Sequence, residues 1–439
     1  MAAVATPSSP GRARLAAAAA SLRTESGLAR LGLGLVALHV VDDSWLQPNP
    51  GTDAGDHLFG GLVPLVLLGT AIALYPRLRA GTRALIALTA GFFGVLFGTE
   101  GAYYTSRVGP SGDDFTGLLS IAAGLLLLGV GIATLWKSRR RYDSPWWRYP
   151  RRLLFLAGAY LVANVVLMPT AVAYVATHAA RAHVPKANLG MPYEDVEFRT
   201  SDGLLLKGWY VRSRNGAAVI SFPGRSGTQT RARLLARHGY GVLLFDRRGE
   251  GESQGDGNAF GWRGARDVDA AVAYLQRRPD VDPQRIGGIG LSVGGEVLIE
   301  AAAESPALKA IVAEGASGRS VRDDLVNDAP WQAMVGDGVV TIATSLFADD
   351  LPPQTLTSLV PKIHGAAFFV YGEEGQEMER PANRDFYSRA HEPKQLWEVP
   401  GSKHTGGLAA RPREYERRIV AFFDDHLSGQ DDGRDVARS

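Results

Sequence analysis

The hydrophobic positions of this 439-residue chain follow two regimes. The amino-terminal part carries five long apolar stretches, at about 28–41, 58–75, 84–104, 115–136 and 153–176, separated by short polar turns. A helix that crosses a bilayer needs roughly 20 apolar residues, with about 17–25 workable. The last three stretches meet that length, the second just meets it, and the first does so only if it runs on to Leu46. The pattern predicts a transmembrane helical domain of about five helices over 28–176, rather than buried helices of a soluble domain. Beyond it the period changes. Residues 194–200 and 204–212 alternate as a hairpin around the turn Ser201-Asp202-Gly203. Short apolar runs near Ala217, Gly241, Arg285, Leu308, Ala366 and Lys394 then alternate with helical patterns near 228–238, 263–277, 296–304, 380–391 and 412–427. That alternation predicts an α/β domain over 192–428, a doubly wound, mostly parallel sheet with helices on both faces. Residues 318–361 break the repeat and read as a short helical cap. Residues 177–191 read as a linker, and 1–27 and 429–439 as disordered ends.

Charge along the loops gives the helical part a direction. Arg12, Arg14 and Arg23 precede the first stretch, Arg77, Arg79 and Arg83 follow the second, and Lys137, Arg139, Arg140, Arg141, Arg148, Arg151 and Arg152 follow the fourth. The intervening loops hold Asp42, Asp43, Asp53 and Asp56, then Arg107 with Asp113 and Asp114. The excess of positive charge on one side places the amino terminus in the cytoplasm. Five crossings of the plasma membrane then leave the α/β domain outside. His39, Asp42, Asp43, Asp56, His57 and Glu100 gather near the outer ends of the first three stretches. They read either as a divalent-metal or ligand site or as capping groups in a polar outer loop, with Asp56 capping the second helix. We assign no metal there and no cofactor to the chain. The balance of 47 Lys and Arg against 45 Asp and Glu gives no electrostatic argument for nucleic acid. Cysteine is absent, which excludes disulfides, a thiol nucleophile and thiolate metal sites.

The chemistry concentrates in the α/β half. The run 285–291 leads into Gly290-Leu291-Ser292-Val293-Gly294, and a helical pattern follows. This is G-x-S-x-G in the strand–turn–helix setting that presents a nucleophilic serine at a helix start. Two further apolar runs end in Pro223-Gly224-Arg225-Ser226-Gly227 and in Asp246-Arg247-Arg248-Gly249-Glu250-Gly251-Glu252-Ser253. The last run ends in Pro400-Gly401-Ser402-Lys403-His404. Candidate groups thus fall at the carboxyl ends of strands, where sheets of this kind keep their sites.

These motifs, D-x-R-G-x-G-x-S, G-x-S-x-G and the late Gly-Ser-Lys-His, make the chain resemble the α/β-hydrolase superfamily from about Pro192 to Leu427. The dienelactone-hydrolase and serine-peptidase-like esterase branch is the closest in pattern. The resemblance implies a serine hydrolase with Ser292 as nucleophile and His404 as base. It places an acid shortly after 368–372, where relatives read G-x-x-D and this chain has Gly375 at the aspartate position. Glu377 is the preferred acid, then Glu374, with Glu373 and Glu314 as further candidates. The oxyanion donors implied are the Val293 amide and one from Gly224-Arg225. Trp331, Met334, Leu346 and Phe347 of the cap would shape an acyl or peptidyl pocket. Asp246 and Arg247-Arg248 read as structural. The expected activity is cleavage of carboxylic esters or amides, with a small-molecule or lipid-like acyl substrate and the bilayer as the partners. Alternatives are a serine peptidase or acyltransferase on the same residues, a non-catalytic binding or scaffold protein with a degraded hydrolase fold, and, more remotely, a transporter.

Overall fold

The computed structural model describes residues 20, 22–108, 112–138, 145–179, 181, 183–326 and 330–427. The residues read as disordered ends therefore lie largely outside the described residues, as do Arg12, Arg14, Arg139, Arg140 and Arg141. The chain divides into two compact units. A helical unit comprises Met1–Pro48, Asp53–Tyr174 and Leu346–Asp349, and an α/β unit comprises Asn49–Thr52, Val175–Ser345 and Asp350–Ser439.

All five apolar stretches are helical. They form α1 (Glu25–Val41), α2 (Leu58–Leu74), α3 (Ala80–Val108), α4 (Gly112–Ser138), and α5 (Pro145–Val162) continued through a π-helical turn into α6 (Met168–Thr177). Four spans, Leu58–Arg77, Ala80–Tyr103, Thr116–Ser138 and Tyr149–Thr177, are long and apolar enough to cross a membrane. The first stretch is the exception. Its α-helix has 17 residues and continues to Leu46 only as a π-helical turn that carries Asp42 and Asp43. Ala29, Leu33 and Val36 of α1 are buried with Ala87, Ala123 and Leu127, so this helix packs into the core of its own unit.

Some polar side chains of this unit bond to one another across the helices. The His39 ring nitrogens meet Thr116 Oγ1 at 3.2 Å and the Phe97 carbonyl at 3.3 Å, and Thr116 donates to Asp42. Among the described residues no group of three or more His, Asp or Glu is placed to hold a metal ion. Asp56 does not cap α2. It accepts the Asp53 amide within its own loop, and the amides of Phe59 and Gly60 donate instead to Asp349, at 2.8 and 3.1 Å.

Helices α3 and α4 meet through small residues. A Cβ built on Gly98 would stand 2.2 Å from the Gly117 carbonyl oxygen, and one on Gly124 would stand 2.6 Å from the Val95 nitrogen. Close backbone approach of this kind is how apolar helices gain dispersion contact where there is no water to drive association.

The α/β unit holds one eight-stranded sheet. Its strands are β1 (Glu194–Arg199), β2 (Leu205–Val211), β3 (Ala218–Phe222), β4 (Gly241–Phe245), β5 (Ile286–Leu291), β6 (Leu308–Glu314), β7 (Ala366–Glu374) and β8 (Lys394–Lys403). Their order is β1-β2-β4-β3-β5-β6-β7-β8. The first two pairings are antiparallel and the rest are parallel. Helices α7 (Gln229–Arg237), α8 (Gly264–Gln276), α9 (Val293–Glu304), α10 (Val321–Val326), α11 (Trp331–Phe347), α12 (Leu356–Leu359), α13 (Glu379–Arg389), α14 (Gly407–Ala410) and α15 (Pro412–Leu427) complete the unit. Buried on both faces, the central strands are mostly apolar, as parallel strands covered by helices tend to be. Leu243 and Phe245 face one core with Val268, Leu298 and Phe386, whereas Val242 and Leu244 face the other with Leu235, Ile419 and Phe423. The doubly wound α/β class expected from the pattern is the one observed, and α10 to α12 lie between β6 and β7.

Replacing Gly98 by valine forces α3 and α4 apart, at a cost of about 1–3 kcal/mol for overpacking. Gly69 is the control, because a Cβ added there would meet nothing within 4 Å. Melting in detergent micelles should drop for Gly98→Val and stay put for Gly69→Val; equal melting temperatures would contradict the close packing.

Candidate active site

Ser292 stands between β5 and α9 with φ 51° and ψ −124°. A non-glycine residue rarely adopts this backbone, and surrounding contacts must over-determine it. They do. The Ser292 amide donates to the Glu314 carbonyl at 2.8 Å, continuing the β5–β6 ladder by one residue. The Ser292 carbonyl accepts from Gly295 at 2.8 Å and Glu296 at 3.2 Å, starting the helix. A Cβ on Gly290 would lie 2.3 Å from the Gly294 oxygen, and one on Gly294 would lie 2.7 Å from the Phe222 oxygen. The glycines two before and two after the serine are thus required by close approach.

His404 follows β8 directly, and its Nδ1 is hydrogen-bonded to Glu379 Oε1. Glu379 opens α13, is fully buried, and also accepts the Gln376 amide at 2.8 Å. Its carboxylate is the largest influence raising the His404 pKa above the ordinary 6.5, against a smaller lowering by burial. The ring packs on Gly315, where an added Cβ would stand 3.1 Å from His404 Cε1. Ser292 and His404 therefore flank the Glu314-Gly315 link.

The carboxylate that the structure brings to His404 is not one of those expected. Glu377 and Glu374, and with them Glu373, are exposed, and Glu373 instead accepts the Gly401 amide at 2.9 Å. β7 runs on through Glu374, and the turn that follows carries Glu379, not Glu377, onto the histidine. The Glu314 carboxylate is engaged by other groups. It accepts from Arg231 at 2.8 Å, Tyr415 at 2.6 Å and the Gly407 amide at 2.9 Å. Arg231 also donates to the Thr405 carbonyl at 2.7 Å, so this buried network brackets the loop that carries His404.

The oxyanion expectation changes as well. The Arg225 amide donates to Asp246 Oδ1 at 3.1 Å, and its guanidinium grips Asp246 Oδ2 at 2.6 Å, so that amide is already engaged. As the first residue of α9, Val293 has no intrahelical acceptor for its N–H, and none is supplied elsewhere among the described residues. The Gly224 N–H likewise has no backbone acceptor among them. Asp246 and Arg248 are structural, Arg248 pairing with Asp267 at 2.7 Å. Two of the four pocket residues move elsewhere. Leu346 and Phe347 belong to the helical unit and line an apolar cavity of about 490 Å³ there with Val36, Leu67 and Phe97. Trp331 is two-thirds exposed and Met334 half-buried.

A family model described as X-Pro dipeptidyl-peptidase (S15 family) matches residues 164–393, just over half of the chain. The chain belongs to this family. The match covers Ser292 and Glu379 and stops short of His404. The uncharacterized protein YfhR of Escherichia coli is 25% identical over 255 residues, which cover 54% of this chain and 82% of that one. An uncharacterized protein of Mycobacterium tuberculosis is 30% identical over 233 residues, covering 50% and 76%. Among solved structures, an esterase of Pyrococcus furiosus aligns over 56% of this chain and 97% of its own, with 23% identity and a TM-score of 0.47. This S15-family chain is an α/β hydrolase, as its motifs implied.

The His404–Glu379 pair carries a direct test. Titrated by NMR through its ring protons, His404 should show a pKa above 6.5, and Glu379→Gln should move it downward, because the imidazolium loses its carboxylate. An unchanged value would contradict the pairing.

Proposed function

We propose that this S15-family protein is a membrane-anchored serine hydrolase that cleaves carboxylic esters or related amides through an acyl-enzyme. Ser292 is the nucleophile, His404 the general base, and Glu379 the acid that orients it. The observation that carries this reading is the Glu379 carboxylate on His404 Nδ1, beside a serine held at positive φ at the head of a helix. With Nδ1–H donated to Glu379, Nε2 accepts the Ser292 proton as Oγ attacks the substrate carbonyl. The resulting oxyanion is met by the Val293 amide, with the Gly224 amide as second donor. His404 then returns the proton to the leaving alkoxide, and water repeats the sequence to free Ser292. The helical unit anchors the enzyme. Counting α1 as a crossing with the four longer spans, the positive-inside rule puts the amino terminus in the cytoplasm and the α/β unit outside the plasma membrane.

A second reading, a peptidase that releases X-Pro dipeptides, is favoured by the family match itself. Turnover separates the two. Wild-type protein in detergent should hydrolyse p-nitrophenyl butyrate faster than alanyl-prolyl p-nitroanilide. Ser292→Ala and His404→Ala should abolish both reactions. Glu379→Gln should lower kcat by about 10³–10⁴-fold. The acid limb of kcat/KM should sit above pH 6.5, since only neutral His404 serves as base and Glu379 raises its pKa; in Glu379→Gln that limb should shift to lower pH. Preference for the anilide would establish the peptidase. No turnover of either compound by folded protein would leave a binding module with a hydrolase fold.

A further inference from the structure

The helical unit has a gap between two helices that are neighbours in sequence. Helices α2 and α3 are joined by 75–79 alone, and so short a link ordinarily lays two helices side by side. Here α2 packs on α1 and α3 packs on α4, while α2 and α3 share almost no direct contact. Of the residues of α2 only Gly61 is buried. The space left between the two helices is the cavity of about 490 Å³, closed at its base by the buried Leu33 and Val36 of α1.

The lining fits hydrocarbon. No charged side chain borders the cavity, and its polar side chains are the three threonines Thr70, Thr89 and Thr170. It follows α2 from Val63 to Leu74, about 16 Å at the rise of an α-helix. Water would find too few polar partners there, and an empty space would forfeit dispersion contact along both helices. The two ends differ. At one end the walls are Val63, Phe97 and Phe347. At the other, the lining residue Leu78 stands between Arg77 and Arg79, both exposed. Arg77 Nη1 donates to the Ala73 carbonyl at 3.1 Å, and neither guanidinium forms an ion pair among the described residues. Arg83, by contrast, is matched by Glu25 at 3.5 Å.

We propose that this cavity holds an acyl chain of an anionic phospholipid, with the lipid phosphate on Arg77 and Arg79. The proposal rests on the membrane anchoring set out above and not on the chemistry of Ser292. A guanidinium takes phosphate through two parallel N–H···O bonds, and basic residues at the ends of transmembrane helices favour anionic headgroups. Both parts of the ligand are needed. A free phosphate would meet the arginines and leave the cavity empty, and a zwitterionic lipid would bring a second cation toward two unmatched ones. An anionic lipid fills the gap and neutralises its charged end at once.

The test is native mass spectrometry of the full-length protein released from detergent micelles, with dioleoyl phosphatidylglycerol and dioleoyl phosphatidylcholine as probes. One phosphatidylglycerol should be retained per chain, about tenfold or more tightly than phosphatidylcholine. The double variant Arg77→Gln, Arg79→Gln should retain the two lipids alike. Ala90→Phe, which fills the cavity from α3, should lose both, and Ala71→Phe repeats the test from α2 should the first variant fail to fold. Gly69→Phe is the control, since a side chain there enters open space outside the lining, and it should retain lipid as the wild type does. Retention of neither lipid, equal retention of both by the wild type, or a preference that survives the double arginine variant would overturn the proposal. So would retention undisturbed by phenylalanine in the cavity, or several lipids bound alike as in an annular shell. Carbonate washing of cell membranes tests the anchor separately. Protein that stays in the membrane but selects no lipid removes the site alone, whereas protein released by the wash removes the anchor.

Discussion

The backbone of Ser292, held at φ 51°, is the constraint on which the rest of the α/β unit depends. Such a conformation costs about 1–3 kcal/mol and persists only where its surroundings leave no alternative. Here those surroundings are the β5–β6 ladder, which fixes the serine amide on Glu314, and the contact of Gly294 with Phe222, which fixes the helix start against β3. Each depends on the sheet order. With β5 between β3 and β6, the serine stands between two strand ends that supply other parts of the site. β3 leads to the Gly224 turn, and β6 leads to the Glu314-Gly315 link against which His404 packs.

Charge buried beneath this site works in two ways. Glu314 sits near His404 yet serves Arg231, Tyr415 and Gly407, and so holds the loop from Thr405 to Gly407 in place. Glu379 is spared such partners. One of its oxygens meets His404 and the Gln376 amide, while the other is buried with no hydrogen bond among the described residues. A carboxylate so placed gains most from a protonated imidazole, which is the form that a general base passes through. The two acids are both buried and differ in their partners.

Much of this was legible in the sequence. The change of hydrophobic period marks the two units, the alternating runs give the strands, and the strand-to-helix setting of G-x-S-x-G singles out Ser292. His404 follows from its place after the last strand. The acid was not legible. Glu373, Glu374, Glu377 and Glu379 are four acidic residues between the end of β7 and the start of α13, and what sets Glu379 apart is its burial on α13, where Ala382 and Phe386 pack into the core. The Arg225 amide looked available because its engagement by the Asp246 side chain is a tertiary contact. Leu346 and Phe347 were apolar enough for a pocket, but spacing along a helix does not say which unit will bury them. The short first apolar stretch, by contrast, was visible as such, and α1 has the length its sequence indicated.

The central claim is that Ser292 is activated through His404 by Glu379. The most direct measurement is the rate of fluorophosphonate labelling, with the adduct mapped by mass spectrometry, in wild type and in single alanine replacements of Glu374, Glu377 and Glu379. The account predicts an adduct on Ser292, formed at the wild-type rate in Glu374→Ala and Glu377→Ala and slowed by about 10²-fold or more in Glu379→Ala. Labelling of Glu379→Ala at the wild-type rate, or its loss in Glu377→Ala, would contradict it.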